Sequence, residues 1–406
     1  MEVNLIMSEK AFLEPAALTV AKDSLVGYRS CVSSVQLATS PHDKSLYVAI
    51  TTNGNQASYY NPTASFNRDD AQFGALMKAV AERALLDRFN HTIRKKAESL
   101  PYPYLDPREY LAIEESHTNE RFLRPFSIDR RYNWCLGTSY AGHPRYIPED
   151  FVYHPNHRDY LYCSNDSGLA AHPNPLQAVE LAIASRLKAD AAMRTWYKTL
   201  PPYVLDPKSI PEHAQNSIGA WASMGYTLTI SQLDTEICEV YLATIRGSAY
   251  PCFACGFGAT LYGDTNQAIL EALANAEANF DLYAGFCNGY ESFSQFSIVA
   301  PLDHGLYYAQ PKNAAKLDFL TERKEQSSPF RRTIGSFYDL AVKLNLTVCW
   351  LSVPGATYNV ARVFSPYLVP ISYGFGIDHS RHPALSRYSA PLCEERRRIP
   401  HCFYRP

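Results

Sequence analysis

Cys252-Phe-Ala-Cys255 is a CxxC pair. A CxxC pair can exchange a dithiol for a disulfide, or supply half of a zinc site. Either use needs a helix opening at the first cysteine or a second pair elsewhere. Here a glycine-rich stretch follows and no second CxxC exists, which favours structural thiols. His154/His157 and His379/His382 are both His-x-x-His pairs in proline-bearing, loop-like sequence. No helix aligns them as metal ligands there, so surface histidines are expected. Gly256-Phe-Gly258 could let backbone approach a phosphate, but neither GxGxxG nor a P-loop completes it. No Gly-x-Ser-x-Gly elbow appears, so a hydrolase has no support. Glu82-Arg83 reads equally as an exposed helix pair or as a ligand-holding pair.

Three amphipathic segments would position these groups. Between about Asp69 and Phe89, Phe73, Leu76, Met77, Val80 and Ala84 fall at helical spacing. Asp69 and Asp70 suit the positive end of its dipole. A second helix follows Asn174-Pro175, a good N-cap and first-turn pair, with Leu176, Val179, Ile183 and Leu187 on its face. A third follows Asp264, with Ile269, Ala272, Leu273, Ala276 and Phe280. Gly168 and Gly258 each stand nine residues before a Gln-Ala pair in the second and third helices. Strands are expected at Tyr160–Cys163 and Cys238–Thr244, which predicts strand, glycine turn, loop and helix, used twice. Leu100–Pro107 and Leu200–Pro207 share five of eight residues, which points to an internal duplication. Ser336–Leu344 reads as a helix, Leu346–Val353 and Tyr358–Phe364 as strands. The stretch from Arg381 reads as an irregular tail. The whole is mixed α/β.

The 406 residues carry a net charge of −2 and are 46% hydrophobic and 19% charged. That allows a sizeable core and argues against disorder, nucleic acid and anionic membrane as partners. With 29 Tyr and 19 Phe, much aromatic surface must be core or interface. The ten cysteines have no framework spacing, and most read as buried reduced thiols. Glu2, Glu9, Lys10 and Glu14 interrupt any signal-peptide core. No apolar run reaches membrane-spanning length. A cytoplasmic protein is expected.

Ser164-Asn-Asp-Ser-Gly168-Leu-Ala-Ala171 and Asn174-Pro-Leu-Gln-Ala178, followed by a helix, resemble the YcaO family. That family carries Ser-Asn-Gly-Leu-Ala-Ala-Gly, an acidic turn and a helix. The first helix, ending in Ala81-Glu82-Arg83, resembles its Ser-x-x-x-Glu-x-x-Glu-Arg helix. Gly256-Phe-Gly-Ala259 to Ala274 resembles its Gly-x-Gly-Ala, acidic turn and Ala-x-x-x-Ala-Leu helix. Phe364–Pro370, Arg381–Leu385 and the ending Ile399–Phe403 with Pro406 are similar to its late proline-containing stretches. The resemblance implies a YcaO-like α/β fold, a mixed sheet with helices and internal pseudo-symmetry. It divides the chain into a strand-rich segment at 1–60 belonging to the same domain, a YcaO-like domain at 61–390 and a proline-containing tail at 391–406.

Active relatives use ATP and magnesium to activate a backbone amide oxygen and close an azoline, or form other products such as a thioamide. Magnesium needs hard oxygen ligands. This chain departs from the pattern at those positions. Ala75 and Ala79 replace the family's Ser and Glu, leaving Glu82 and Arg83. Ser185 and Lys188 replace two Glu, and Ala189 replaces Arg. Asn275 stands at a Glu and Glu271 at an Arg. Glu82 and Arg83 are therefore expected as a remnant nucleotide site lined by Ser185, Lys188 and Asn275, with Lys188 pairing Glu82 where a metal would sit. No cofactor or metal is expected, and ATP-dependent activity is expected to be lost. The implied function is a non-catalytic or altered subunit in bacteriocin or peptide-antibiotic biosynthesis. Its expected partner is a precursor peptide, a catalytic enzyme or a second copy. The alternatives are a divergent ATP-dependent cyclodehydratase forming azoline or thioamide, with ATP and magnesium, and a binding module unrelated to peptide modification.

Overall fold

The computed structural model describes residues 34–403 apart from short internal stretches, of which 53–62, 113–123 and 287–297 are the longest. Three sheets are formed. Strands β1 (Ser34–Thr39), β2 (Tyr47–Thr52) and β3 (Thr63–Ser65) make a small antiparallel sheet. A central sheet has the order β4-β5-β13-β14-β7, from Thr92–Lys96, Arg131–Ser139, Thr347–Leu351, Asn359–Phe364 and Leu169–His172, with β6 (Pro144–Pro148) also paired to β5. A third sheet has the order β11-β10-β9-β8-β12, from Phe253–Thr260, Glu239–Arg246, Thr227–Gln232, Tyr203–Leu205 and Lys324–Gln326. The helices that matter to the site are α1 (Arg68–Asp87), α2 (Pro175–Lys198), α3 (Glu212–Ser223) and α4 (Thr265–Ala284). The later helices are α5 (Pro301–Tyr308) and α6 (Phe337–Lys343).

Their starts follow from capping chemistry. Asn67 accepts from the amides of Asp69 and Asp70 at α1, Asn174 from Leu176 and Gln177 at α2, and Asp264 from Gln267 at α4. Each satisfies amide donors that a helix start leaves without an intrahelical partner. The related Leu-Asp-Pro segments fold alike locally. Asp106 and Asp206 each accept from the amide two residues on, and each opens a short helical turn at the following proline.

Period-two alternation places α2 between two sheets. Val240 and Leu242 of β10, and Cys255 and Phe257 of β11, pack in one core with α2. Tyr241, Ala243 and Ala254 face the opposite core, with α3 and α4. In the central sheet Ala361 and Val363 of β14 face α2, while Val360 and Phe364 face α1. With sheets on both sides, α2 is buried all round in its last turns, where Ala189, Ala191 and Ala192 pack with Met193, Trp196 and Tyr197 in one close-packed core.

Four expectations are corrected. Leu161 and Tyr162 are buried but not in a strand, and Tyr160 and Cys163 lie outside the described residues; the strand at this place, β7, follows Gly168. Gly258 is no turn: it lies inside β11, where α4 crosses so closely that a Cβ would stand 1.9 Å from the Ala268 carbonyl oxygen. The tail is not loose, because His401, Cys402 and Phe403 are buried and Phe403 joins the α2 core. His379 and His382 are buried too, since Leu385 and Ala384 carry their turn into that core. His157 lies outside the described residues and His154 is half-buried.

Candidate functional site: the facing helices α2 and α4

β11 is the edge strand of its sheet, so its outward amides and carbonyls need partners. Three side chains of α4, spaced four residues apart, supply them. Glu271 accepts from the Ala259 amide at 3.3 Å, Asn275 donates to the Phe257 carbonyl at 3.0 Å, and Asn279 donates to the Cys255 carbonyl at 2.8 Å. Four helical residues rise about 6 Å and two strand residues about 6.6 Å, so the periods match. The helix thus serves as a surrogate neighbouring strand. Gly256 and Gly258 let it approach, since a Cβ at either would meet helix backbone well inside contact distance.

From the other side, Lys188 of α2 reaches Glu271 at 2.7 Å. The lysine is 14% exposed and the glutamate 37%. The family resemblance puts Glu at 188 and Arg at 271; this chain carries both charges reversed, and the two reversed side chains meet. A pairing of Lys188 with Glu82 is not formed. The reason is distance along the fold: Lys188 points to the α4 side, and its ion pair is taken up by Glu271. Ser185, one turn earlier, accepts from the Gly168 amide at 3.2 Å. Gly168 has φ +77°, and a Cβ there would stand 2.8 Å from the Val363 carbonyl oxygen, so the turn requires glycine on both counts.

Glu82 is buried on α1 and Arg83 is half-buried beside it. Neither bonds to Ser185, Lys188 or Asn275, whose partners are Gly168, Glu271 and Phe257. The helices are linked through shared strands instead: α1 and α4 both pack on β3, α1 and α2 on β7 and β14, and α2 and α4 on β11. Ala75 is buried against Ala49 of β2 and Ala71, so packing occupies that position. Glu277 and Glu180 each have a partner of their own. Glu277 accepts from the Trp221 indole at 2.9 Å on the α3 side. Glu180 on α2 has its carboxyl raised above the ordinary value by burial, partly offset by a hydrogen bond with Tyr262. Among the described residues no three His, Cys, Asp or Glu side chains are grouped to hold a metal ion. The donor set at this place does not fit magnesium: an ammonium holds Glu271, and Asn275 and Ser185 are engaged with backbone. The cysteines of the CxxC pair are buried thiols, Cys252 and Cys255 both lying in the third sheet's surroundings.

In the sequence Glu271 stands out only as a departure from the family's Arg. The signal was available in the opposite changes at 188 and 271; only the fold shows that the two positions touch.

A family model described as YcaO cyclodehydratase, ATP- and Mg2+-binding, matches residues 64–369. Among solved structures, YcaO from Methanopyrus kandleri bound with AMPPCP and Mg2+ is similar at TM-score 0.68 and 17% identity, over 88% of this chain and 92% of that one. A heterocyclase in complex with substrate and cofactor is similar at TM-score 0.71 and 15% identity, over 93% of this chain and 56% of that one. This chain therefore spans little more than half of that heterocyclase. The E. coli microcin synthetase McbBCD complex with pro-MccB17 bound contains a chain similar at TM-score 0.65 and 9% identity, over 91% of this chain and 96% of that one. No curated protein matches the sequence. The structural likenesses establish the α/β architecture, and the match over most of the length establishes kinship: the chain belongs to the YcaO cyclodehydratase family.

Proposed function

We propose that this protein takes part in the modification of a ribosomally made peptide as a non-catalytic or altered subunit, binding a precursor or a catalytic partner in the cytoplasm. The observation that carries the reading is the Lys188–Glu271 ion pair. A position expected to hold a carboxylate for magnesium holds an ammonium, and the nearest carboxylate neutralises it. A divalent cation beside Lys188 would meet like charge. At roughly 4 Å two unit charges repel by about 4 kcal/mol at an effective dielectric near 20. A family fold kept around donors that do not fit magnesium supports a role in binding. A bacteriocin or peptide-antibiotic pathway, with a heteromeric or homodimeric assembly, is the setting this reading implies.

A divergent ATP-dependent cyclodehydratase is the second reading, favoured by one observation: Glu82 is kept and buried on α1. Magnesium-dependent phosphate release, measured with the purified protein alone and with precursor, separates the two. The proposed role expects none above a no-enzyme control. Turnover that disappears in Glu82→Ala would establish the second reading. Co-expression with neighbouring gene products should yield a stable complex or homodimer; a strict monomer that captures neither partner nor precursor would sink the binding role.

A further inference from the structure

Two arginines outside the α2–α4 contact are buried and form no ion pair among the described residues. Arg186 of α2 is 1% exposed and Arg362 of β14 is 2% exposed. Both reach the turn before β7. Arg186 offers Nη1 to the Ser167 hydroxyl at a long 3.4 Å, and Arg362 donates Nη2 to the Asn165 carbonyl at 2.7 Å. The Ser167 amide in turn donates to the Asn165 side chain at 2.9 Å, which fixes the turn. The remaining guanidinium nitrogens, Nε and Nη2 of Arg186 and Nε and Nη1 of Arg362, have no hydrogen-bond partner among the described residues. Arg186 also lies 5.3 Å from the Tyr110 ring centroid and Arg362 5.7 Å from that of Phe364. Burial lowers the pKa of Arg362 from the ordinary guanidinium value, and the charge of Arg186 lowers it further. Asp166 on the same turn acts on Arg362 through its charge, yet neither arginine bonds to it.

An unpaired buried charge is costly, and natural folds keep one where something compensates it. Two guanidinium forks with free donors match the planar or tetrahedral oxygens of carboxylate or phosphate. We propose that Arg186 and Arg362 form a binding site for an oxyanion, a carboxylate or phosphate group, seated against the Asn165–Ser167 turn. The site lies one residue from Ser185 along α2, yet it uses none of the positions through which the family holds magnesium. It stands whether or not the protein turns over ATP.

The test is calorimetric titration of the full chain with sodium phosphate and, separately, sodium acetate, at constant ionic strength with chloride as the background. Saturable one-to-one binding of one of them is expected, and which one binds names the source. Arg186→Lys, which keeps the charge but loses the fork, should weaken it at least about tenfold. Arg362→Lys should do the same. If a variant does not fold, thermal protection of the wild-type protein by the same anion still decides, because a ligand of the folded state alone raises Tm with concentration. Failure of both anions to saturate or protect folded wild-type protein up to tens of millimolar would overturn the site and leave the arginines to water. So would binding unchanged in folded Arg186→Lys and Arg362→Lys.

Discussion

The charge reversal at Lys188 and Glu271 decides what this helix contact can do. In a protein interior an unpaired Lys188 would be penalised, and Glu271 removes that penalty at 2.7 Å. Partial exposure of both groups screens the attraction, so the coupling is modest. A double-mutant cycle of Lys188→Ala and Glu271→Ala should return a coupling of about 0.5–1 kcal/mol by denaturant unfolding. A coupling of zero would mean the pair is an incidental surface contact. Asn275 makes a stricter demand, because its amide satisfies a carbonyl on the open side of β11. Asn275→Glu would restore the family's carboxylate but would aim an acceptor at an acceptor. We expect a loss of about 1–3 kcal/mol in stability, with no gain in magnesium affinity by titration. Tight magnesium binding in that variant would show that the site can be rebuilt by one residue, against the view that it has been committed to structure.

At the level of elements, α4 is inseparable from β11, since side chains at four-residue steps bond to backbone at two-residue steps. Gly258 sets the distance. Gly258→Ala would bring a Cβ to 1.9 Å from the Ala268 carbonyl oxygen and 2.9 Å from the Ala272 amide nitrogen. Both are backbone atoms, so no side chain can swing away and the helix itself must move. The expected cost is about 3 kcal/mol, the upper end for overpacking, read as a large fall in Tm or loss of soluble protein. Unchanged stability would mean that α4 rides higher over the strand. This contact also shows why legibility differed between elements. The helices α1, α2 and α4 announce themselves through periodicity and caps such as Asn174-Pro175 and Asp264. β11 does not, because Gly256 and Gly258 carry no strand propensity; they are there for a helix that is adjacent only after folding. Likewise Glu271 and Lys188 were each visible as odd residues, but sequence separation hid their contact. Arg186 and Arg362 carry no periodic or motif signal: Arg186 stands one turn before another buried charge, Asp190, on α2, and Arg362 is the one charged residue of β14.

The whole molecule is closed by its C-terminal segment, and histidines hold that closure in neutral form. His304 donates through Nδ1 to the His401 carbonyl at 2.8 Å, and the two rings stack 4.2 Å apart. His401 donates through Nε2 to the Ser372 carbonyl, while its Nδ1 accepts from the Phe403 amide. His379 donates to the Leu111 carbonyl, and Nδ1 of His382 accepts from the Ala384 amide. Protonating His401 or His382 would therefore turn an acceptor nitrogen toward an N–H. Burial pushes the imidazole of His304 down to about 4, that of His379 to about 4 and that of His382 to about 3, and lowers His401 well below its ordinary value. Unfolded histidines titrate near 6.5. Between those folded values and 6.5 the unfolded chain holds more protons, so stability rises with pH across that window. The contribution is complete above pH 6.5 and drains away as the pH falls toward 4. Each histidine can add a slope of up to about 1.4 kcal/mol per pH unit, so four together make acid stability steep between pH 6 and 5. Unfolding curves across this range should show it, with cleavage after Arg396 and Arg397 by trypsin increasing in parallel as the segment is released. His304→Asn, which can keep the donor toward the His401 carbonyl but cannot titrate, should flatten the slope by about one proton. A slope unchanged in that variant would place the acid sensitivity elsewhere in the molecule and detach it from the closing of the C-terminal segment.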